Sequence, residues 1–203
     1  MSTVNRLLLD TDPAVRLAAA CRLAYRRRLV QALAGNASVR IPGGFLCTPT
    51  GCCLGEVGPQ DLVRLSADGR PVAAGRPTSE WALHAWIYRT DAGVAAVLHT
   101  HSPAATARAV LGRDLPPLTP ETAHYLGTVP CLAPVAPGTE ALGIGAAEAL
   151  GRGARAALLG RHGAVAWGRD VREAFYQAEL LEAACALAAA VDTAGLGGGR
   201  PAT

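Results

Sequence analysis

Two histidines, His99 and His101, lie two positions apart at the end of Val94 to Leu98, an apolar run of strand length. Side chains two apart in a strand point to the same face, so both imidazoles can reach one metal ion. His162 also follows an apolar run, and Gly163 after it permits close backbone packing. Three neutral imidazoles suit zinc and leave a coordination position for a carboxylate, water or substrate. Taken alone, the pair also fits ordinary polar residues at a strand end, and both interpretations stay open.

A carboxylate for such a site is present at Glu80, near the start of a helix that Thr78 or Ser79 is predicted to cap. A glutamate in that position also complements the helix dipole without any other role. The same helix start offers backbone N–H groups and two hydroxyls, which favour an anion. Gly35-Asn36 and Thr50-Gly51 lie in turn-like segments that offer two further anion cradles, each weak by itself.

Composition limits the chemistry open to this chain. Of its 203 residues, 50% are hydrophobic and 17% charged, which is enough for one folded domain with a core. All 19 basic residues are arginine, and the absence of lysine excludes a Schiff-base aldolase, a pyridoxal phosphate enzyme and a Walker A loop. The net charge of +3 is mild and the one dense basic cluster is Arg26-Arg27-Arg28, so we expect no nucleic-acid partner.

We also expect no membrane partner. Leu7-Leu8-Leu9 is too short for a signal peptide, and no segment approaches a membrane-spanning length, which predicts a cytoplasmic protein. The six cysteines contain no C-x-x-C pair, and a chain of this length does not need disulfides. Reduced and mostly buried thiols are therefore expected.

Helix signals alternate with strand signals along the chain. Asp12-Pro13 predicts the start of one long helix and Gly35 its end. Leu115 to Pro137 contains six prolines and is predicted to be largely irregular or extended. The other predicted helices cover residues 78–90, 102–112, 139–150 and 171–191, and the predicted strands cover residues 37–41, 45–48, 61–65, 94–98, 156–159 and 164–167. Because the first two strands form a hairpin, the pattern predicts a layered α/β domain with a mixed sheet.

Five short segments, taken in order, carry a family resemblance. They are Gly35-Asn36-Ala37-Ser38-Val39-Arg40, Thr48-Pro49-Thr50-Gly51, Thr78-Ser79-Glu80-Trp81, His99-Thr100-His101-Ser102 and His162-Gly163. These segments resemble the successive motifs of the class II aldolase/adducin family, most closely its fuculose-1-phosphate aldolase branch. The similarity covers about residues 15 to 185 and includes Gly168-Arg169-Asp170-Val171 near the end.

The resemblance implies a fold, a site and an assembly. The fold is a three-layer α/β/α arrangement around a mixed, largely antiparallel sheet, with residues 1–194 as a single domain and 195–203 as a flexible glycine-rich tail. One zinc ion per subunit, or another divalent metal, is implied on His99, His101 and His162. A homotetramer with active sites at its subunit interfaces is also implied. Phosphate binding is implied for Gly35, Asn36, Thr50, Gly51, Thr78 and Ser79.

The implied reaction is cleavage of a phosphorylated ketose, similar to fuculose-1-phosphate, into dihydroxyacetone phosphate and an aldehyde. The metal would stabilise the enediolate, and Glu80 would alternate between metal ligand and acid/base. Family aldolases also use a tyrosine at a position where this chain has Pro120. Tyr125 lies five residues further on, where a surface or interface role is the simpler interpretation. A second family tyrosine, near the C-terminus, has no counterpart after Tyr176.

These departures leave other activities of the family open. The ribulose-phosphate 4-epimerase branch has an aspartate where this chain has Glu80, and Ala123 stands at its second catalytic acid, which counts against epimerisation. Methylthioribulose-1-phosphate dehydration and decarboxylation of a sugar-acid phosphate share the motif set. An adducin-like interaction module would lack the metal site, so the retained histidines argue against it. His84, one turn after Glu80, is predicted to be a helix-packing or interface residue.

Overall fold

A seven-stranded mixed sheet forms the centre of the chain. The computed structural model describes residues 8, 10–72 and 74–195. The strands lie in the order β3-β2-β1-β4-β7-β6-β5, and every neighbouring pair is antiparallel except β5 and β6. Their bounds are Asn36–Ile41 (β1), Gly44–Cys47 (β2), Val63–Ser66 (β3), Ala96–Thr100 (β4), Cys131–Leu132 (β5), Ala156–Leu159 (β6) and Gly163–Gly168 (β7).

Helices pack on both faces of this sheet. They are Pro13–Arg26 (α1), Trp81–Thr90 (α2), Pro103–Leu111 (α3), Pro120–Tyr125 (α4), Glu140–Gly151 (α5) and Val171–Thr193 (α6), with a 3₁₀ turn at Pro59–Asp61. Along β4, Ala96 and Leu98 belong to a core shared with α1, α3 and α6, whereas Val97 belongs to a core shared with α2 and α5. This alternation is the period of two that a strand buried on both faces requires, and it confirms the three-layer α/β/α fold.

The first helix is shorter than predicted. It begins as expected, with the Asp12 carboxylate accepting the N–H of Ala14, but it ends at Arg26 instead of reaching Gly35. Arg28 and Ala32 both have positive φ, of 59° and 49°, which breaks the helical path. The chain turns there and buries Leu29 and Val30 in the core, so tertiary burial overrides helix propensity.

The proline-rich segment is more regular than predicted. It contains α4 and the short strand β5. Thr119 caps α4 by accepting the N–H of Thr122, and Pro120 occupies the first helical position, where a missing N–H costs nothing. A proline that looks like a helix breaker is therefore a helix start.

The last helix, α6, contradicts the expectation that no segment reaches a membrane-spanning length. Its 23 residues are long and apolar enough to cross a membrane, and 44% of its most apolar window is buried inside the protein. Phe175 and Leu181 of this helix are buried in the core on the side of the sheet where α1 also packs. We interpret α6 as a core helix, because a buried core helix can pass the same test of length and composition.

The cysteines are free, as expected, but the expectation that they are mostly buried is wrong. Three are buried, namely Cys21, Cys47 and Cys185, and three are partly exposed, namely Cys52, Cys53 and Cys131. The three arginines of the basic cluster are exposed. Residues 196–203 of the predicted tail lie outside the described part of the chain, so its flexibility stays a prediction.

Candidate metal centre and active site

Three histidines converge at one end of two neighbouring strands. Because β4 and β7 are antiparallel, with Thr100 opposite Ala164, the end of β4 lies beside the start of β7. His99 is the penultimate residue of β4, His101 follows that strand, and His162 immediately precedes β7. The structure thus brings all three predicted ligands together, with one ring nitrogen from each lying within 4.8 Å of the others.

The ring of His99 has a fixed orientation. Its Nδ1 lies 2.9 Å from the carbonyl oxygen of Ala164 and must donate to it, which leaves Nε2 with a free lone pair. That Nε2 lies 2.9 Å from Nε2 of His101. A backbone partner of this kind orients metal-binding histidines in proteins and fixes their tautomer.

Glu80 faces the same point from the other side. It is the N-cap residue of α2, and it makes no capping hydrogen bond with its side chain, so the prediction that Thr78 or Ser79 caps the helix is wrong. Its carboxylate is instead turned toward the histidines, with Oε2 3.1 Å from His99 Nε2 and Oε1 3.5 Å from His162 Nε2. The geometry favours the metal-ligand interpretation of Glu80 over the helix-dipole one.

Burial and neighbouring charges compete over the protonation of these groups. Burial alone would raise the pKa of Glu80, but hydrogen bonds and charge from His99, Asn36 and His162 lower it well below its ordinary value. Burial, followed by the like charges of His99 and His162, lowers the pKa of His101 to about 4. The pKa of His162 is also lowered, mainly by burial. At neutral pH the imidazoles of His101 and His162 are therefore neutral, and the Glu80 carboxylate is anionic.

This donor set fits a divalent metal. Nε2 of His99 and Nε2 of His101 lie 2.9 Å apart, and Glu80 Oε1 is buried without a hydrogen-bond partner. A tetrahedral ion with bonds of about 2.0–2.1 Å to nitrogen needs donors about 3.4 Å apart, close to the distances found here. The residues present can hold such an ion, and three imidazoles with a carboxylate are typical zinc ligands.

Gly163 permits the close approach of the two strands, as its sequence position predicts. A Cβ at this residue would lie too near the carbonyl oxygen of Thr100, 3.2 Å from Cδ2 of His101 and 3.3 Å from Cε1 of His99. Only glycine leaves the histidines in this arrangement.

The residues predicted to bind phosphate lie on three linked segments. Asn36 pairs with His99 across β1 and β4, which places Gly35-Asn36 beside the histidines. The N–H of Thr78 donates to the carbonyl of Thr48 over 2.9 Å, and the N–H of Thr50 donates to the carbonyl of Arg76 over 3.0 Å. Thr50, Gly51 and Ser79 are exposed, whereas Thr78 is buried and its hydroxyl accepts the N–H of Glu80.

Sequence reasoning missed a buried polar seam behind Glu80. We use this name for five residues: Asn36 and Ser38 of β1, and Glu80, His84 and Tyr88 on α2 or its N-cap. Asn36 Nδ2 donates to Glu80 Oε2 over 2.9 Å, and Asn36 Oδ1 lies 2.6 Å from His84 Nε2. Ser38 Oγ lies 2.7 Å from both His84 Nδ1 and the Tyr88 hydroxyl. His84 is fully buried, so it is not an interface residue.

The signal for this seam is present in the sequence. Asn36, Ser38 and Arg40 alternate along one strand face, while Glu80, His84 and Tyr88 recur at helical spacing. Burial lowers the pKa of His84 to about 3, so its imidazole is neutral. Burial likewise raises the pKa of Tyr88, which therefore keeps its proton.

Comparison with known proteins identifies the family to which this chain belongs. The family described as Class II Aldolase and Adducin N-terminal domain matches residues 15–189. The chain belongs to this family. A 3-oxo-tetronate 4-phosphate decarboxylase of Escherichia coli is 36% identical over 164 residues, covering 78% of this chain and 77% of that protein. An L-fuculose phosphate aldolase of Methanocaldococcus jannaschii is 34% identical over 162 residues, covering 80% and 87% respectively.

Comparison with solved structures supports the same family. An L-fuculose 1-phosphate aldolase superposes on this chain with a TM-score of 0.86 at 27% identity, over 96% of this chain and 91% of that one. The family match, together with the similarity to these enzymes, shows that the chain is an enzyme, a metal-dependent lyase. The family resemblance and the fold that it implied are therefore confirmed.

The departure from the family's tyrosine pattern has a structural counterpart. Pro120 starts α4, and Tyr125 ends it with 53% of its surface exposed. Tyr125 and Tyr176, the latter 48% exposed, both line a groove of about 900 Å³ between α4 and α6. None of the three histidines lines this groove. Tyr125 is thus a surface residue of this subunit.

Proposed function

We propose that the chain is a class II aldolase that cleaves a phosphorylated ketose, similar to fuculose-1-phosphate, into dihydroxyacetone phosphate and an aldehyde. The observation that carries this proposal is the convergence of Glu80 with His99 and His162 in one buried cluster. Three neutral imidazoles leave a bound divalent ion its full charge. When bound there, such an ion, which we propose to be zinc, polarises the substrate carbonyl and stabilises the negative charge left after the carbon–carbon bond breaks.

Glu80 supplies the proton transfer in this proposal. While it faces the histidines, its pKa is held low and it stays ionised. Once substrate displaces the carboxylate from them, burial is left as the main influence and raises its affinity for a proton. A group that gains basicity when substrate arrives is suited to take the hydroxyl proton during cleavage and to return it afterwards.

The phosphate end of the substrate has a matching place. We propose that Gly35, Asn36, Thr50, Gly51, Thr78 and Ser79 bind it, because hydrogen bonds link their segments beside the histidines. Asn36 uses one amide hydrogen for Glu80 and retains a second one. The N-terminus of α2 adds a favourable dipole for an anion.

Decarboxylation of a sugar-acid phosphate is the second candidate. The specific observation in its favour is the 36% identity with a 3-oxo-tetronate 4-phosphate decarboxylase, together with Pro120 at the position of the aldolase tyrosine. Loss of carbon dioxide from such a four-carbon 3-oxo acid also yields dihydroxyacetone phosphate. Both reactions leave the same charge on the same three carbons, so one metal centre serves either.

The deciding experiment measures dihydroxyacetone phosphate release from both substrate classes. The purified protein, with its metal content determined on the same sample, is assayed with fuculose-1-phosphate, ribulose-1-phosphate and 3-oxo-tetronate 4-phosphate. Release of dihydroxyacetone phosphate from a ketose phosphate, lost on chelation and restored by zinc, supports the aldolase proposal. Release of dihydroxyacetone phosphate together with carbon dioxide from the 3-oxo acid would instead show that the chain is a decarboxylase. Glu80→Gln should abolish either activity, whereas Glu148→Gln, an exposed residue of α5, should retain it. Stoichiometric zinc without turnover of any substrate would reject both.

Assembly and location are part of the same proposal. We propose a cytoplasmic homotetramer with active sites at its subunit interfaces. The support is the exposure of Tyr125 and Tyr176 on one groove, since aromatic side chains of this kind are enriched at protein interfaces. The sugar phosphate is the only ligand besides the metal that the proposal requires.

A further inference from the structure

The four hydrogen bonds of the seam behind Glu80 admit only one arrangement of protons when the ring of His84 is neutral. A carboxylate accepts hydrogen bonds and does not donate, so the Asn36 atom beside Glu80 must be the amide nitrogen. The amide oxygen then faces His84, which must donate to it from Nε2. A neutral imidazole with its proton on Nε2 has a lone pair on Nδ1, so Ser38 must donate to Nδ1.

The arrangement ends at Tyr88. The single hydroxyl proton of Ser38 is used for His84, so the Tyr88 hydroxyl must donate to Ser38 Oγ. All donors therefore point toward Glu80, in the order Tyr88, Ser38, His84 and Asn36. Buried hydrogen bonds aligned in this way polarise one another, and a broken member leaves an unpaired polar group in the interior.

From this geometry we propose that His84 is a positioning residue for the carboxylate of Glu80. Its Nε2–H fixes the amide of Asn36 with the nitrogen toward Glu80, and Asn36 in turn holds Glu80 against the histidines. The inference rests on the proposed function for the role of Glu80. It concerns the tautomer of one buried ring, which is measurable without any substrate.

The chain offers a matched pair of substitutions. In His84→Gln, the side-chain amide extends about as far as Nε2 and still donates to Asn36. In His84→Asn, the amide ends near the position of Nδ1 and cannot reach Asn36. Both variants bury an amide in place of the ring, so they share the general cost of the substitution. Ile87→Val, which removes one buried methylene from the same helix, controls for loosening of α2.

The first readout is the tautomer of His84 in the intact protein. The chain is labelled with ¹⁵N-histidine, and long-range proton–nitrogen correlation spectra are recorded at pH 7.5. The signal of His84 is assigned by its disappearance in His84→Gln. We expect the neutral form with the proton on Nε2. A proton on Nδ1, or on both nitrogens, would overturn the proposal whatever the enzyme's activity.

The second readout is zinc affinity, measured by competition with a chromophoric chelator, together with kcat and KM. We expect His84→Asn to weaken zinc binding by about tenfold and to lower kcat by about 10-fold to 100-fold with little change in KM. His84→Gln and Ile87→Val should stay within about threefold of the unsubstituted chain in zinc affinity. Equal zinc affinity in the two His84 variants would overturn the proposal. If the unsubstituted chain turns over no substrate, the proposed function fails, while the tautomer and the zinc affinities still decide the role of His84.

Discussion

Replacing Gly163 with alanine should damage the proposed metal centre without replacing any proposed ligand. The added methyl would overlap the carbonyl oxygen of Thr100 and press on His99 and His101 at 3.3 and 3.2 Å. Thr100 belongs to β4, whose backbone is paired with β7 and cannot swing aside as a flexible side chain could. The two strands must separate locally, and the histidines move with them.

The size of the effect follows from that overlap. Overpacking of an interior site by one methyl group costs about 1–3 kcal/mol, which lowers the Tm of a domain of this size by about 4–8 °C for a 2 kcal/mol loss. Displacement of two ligands should also weaken zinc binding by at least about tenfold. Thermal unfolding with and without zinc and a chelator competition titration measure both effects.

Gly151→Ala provides the control for this substitution. Gly151 ends α5, and a Cβ there meets no atom within 4 Å. This variant should unfold within about 1 °C of the unsubstituted chain, or slightly above it, because alanine favours a helix. Gly163→Ala with unchanged Tm and unchanged zinc affinity would refute the close-packing argument.

Three other outcomes are expected. The folded pKa of His84 is depressed to about 3, so below about pH 6.5 the unfolded state binds more protons. The contribution of His84 to the free energy of unfolding of the metal-free protein is therefore complete above that pH and is lost as the pH falls toward 3. In thermal scans with chelator, the Tm of the unsubstituted chain should fall more steeply with decreasing pH than the Tm of His84→Gln. Parallel Tm profiles of the two proteins would contradict this. Zinc at about a thousandfold excess over its Kd should add about 4 kcal/mol to stability, and His162→Ala should lose most of that gain. Tyr125→Asp should dissociate the proposed tetramer, as measured by light scattering.

The clustering of the three histidines could be predicted from the sequence because its signals are local. Each histidine follows a strand-length apolar run, and the glycine after His162 marks a close approach of two chains. The order of the strands depends on the whole fold. A site shared by the three histidines nevertheless requires the end of the strand before His99 to lie near the start of the strand after His162. The role of Glu80 needed the fold, since an acidic residue at a helix start has a common local explanation.

The misread elements have physical causes of the same kind. The first helix ends early because Leu29 and Val30 gain more from burial than the segment gains from helix formation. Six prolines predict an irregular segment from Leu115 to Pro137, but a proline also fits the first position of a helix, and Thr119 provides the cap that makes Pro120 such a start. In both segments the local conformational preference is outweighed by contacts and caps that other residues provide.

The polar seam could be predicted from the sequence only by comparing the spacing of polar residues on β1 with their spacing on α2. Two residues along a strand advance by about 6.6 Å, and four residues along a helix advance by about 6.0 Å. A strand with polar residues at every second position can therefore match a helix with polar residues at every fourth one. Asn36 and Ser38 meet His84 in this way, and Ser38 also meets Tyr88. Each pattern by itself is ordinary, and only their matched spacing explains why a strand and a helix next to the metal centre both bury hydrogen-bonding side chains.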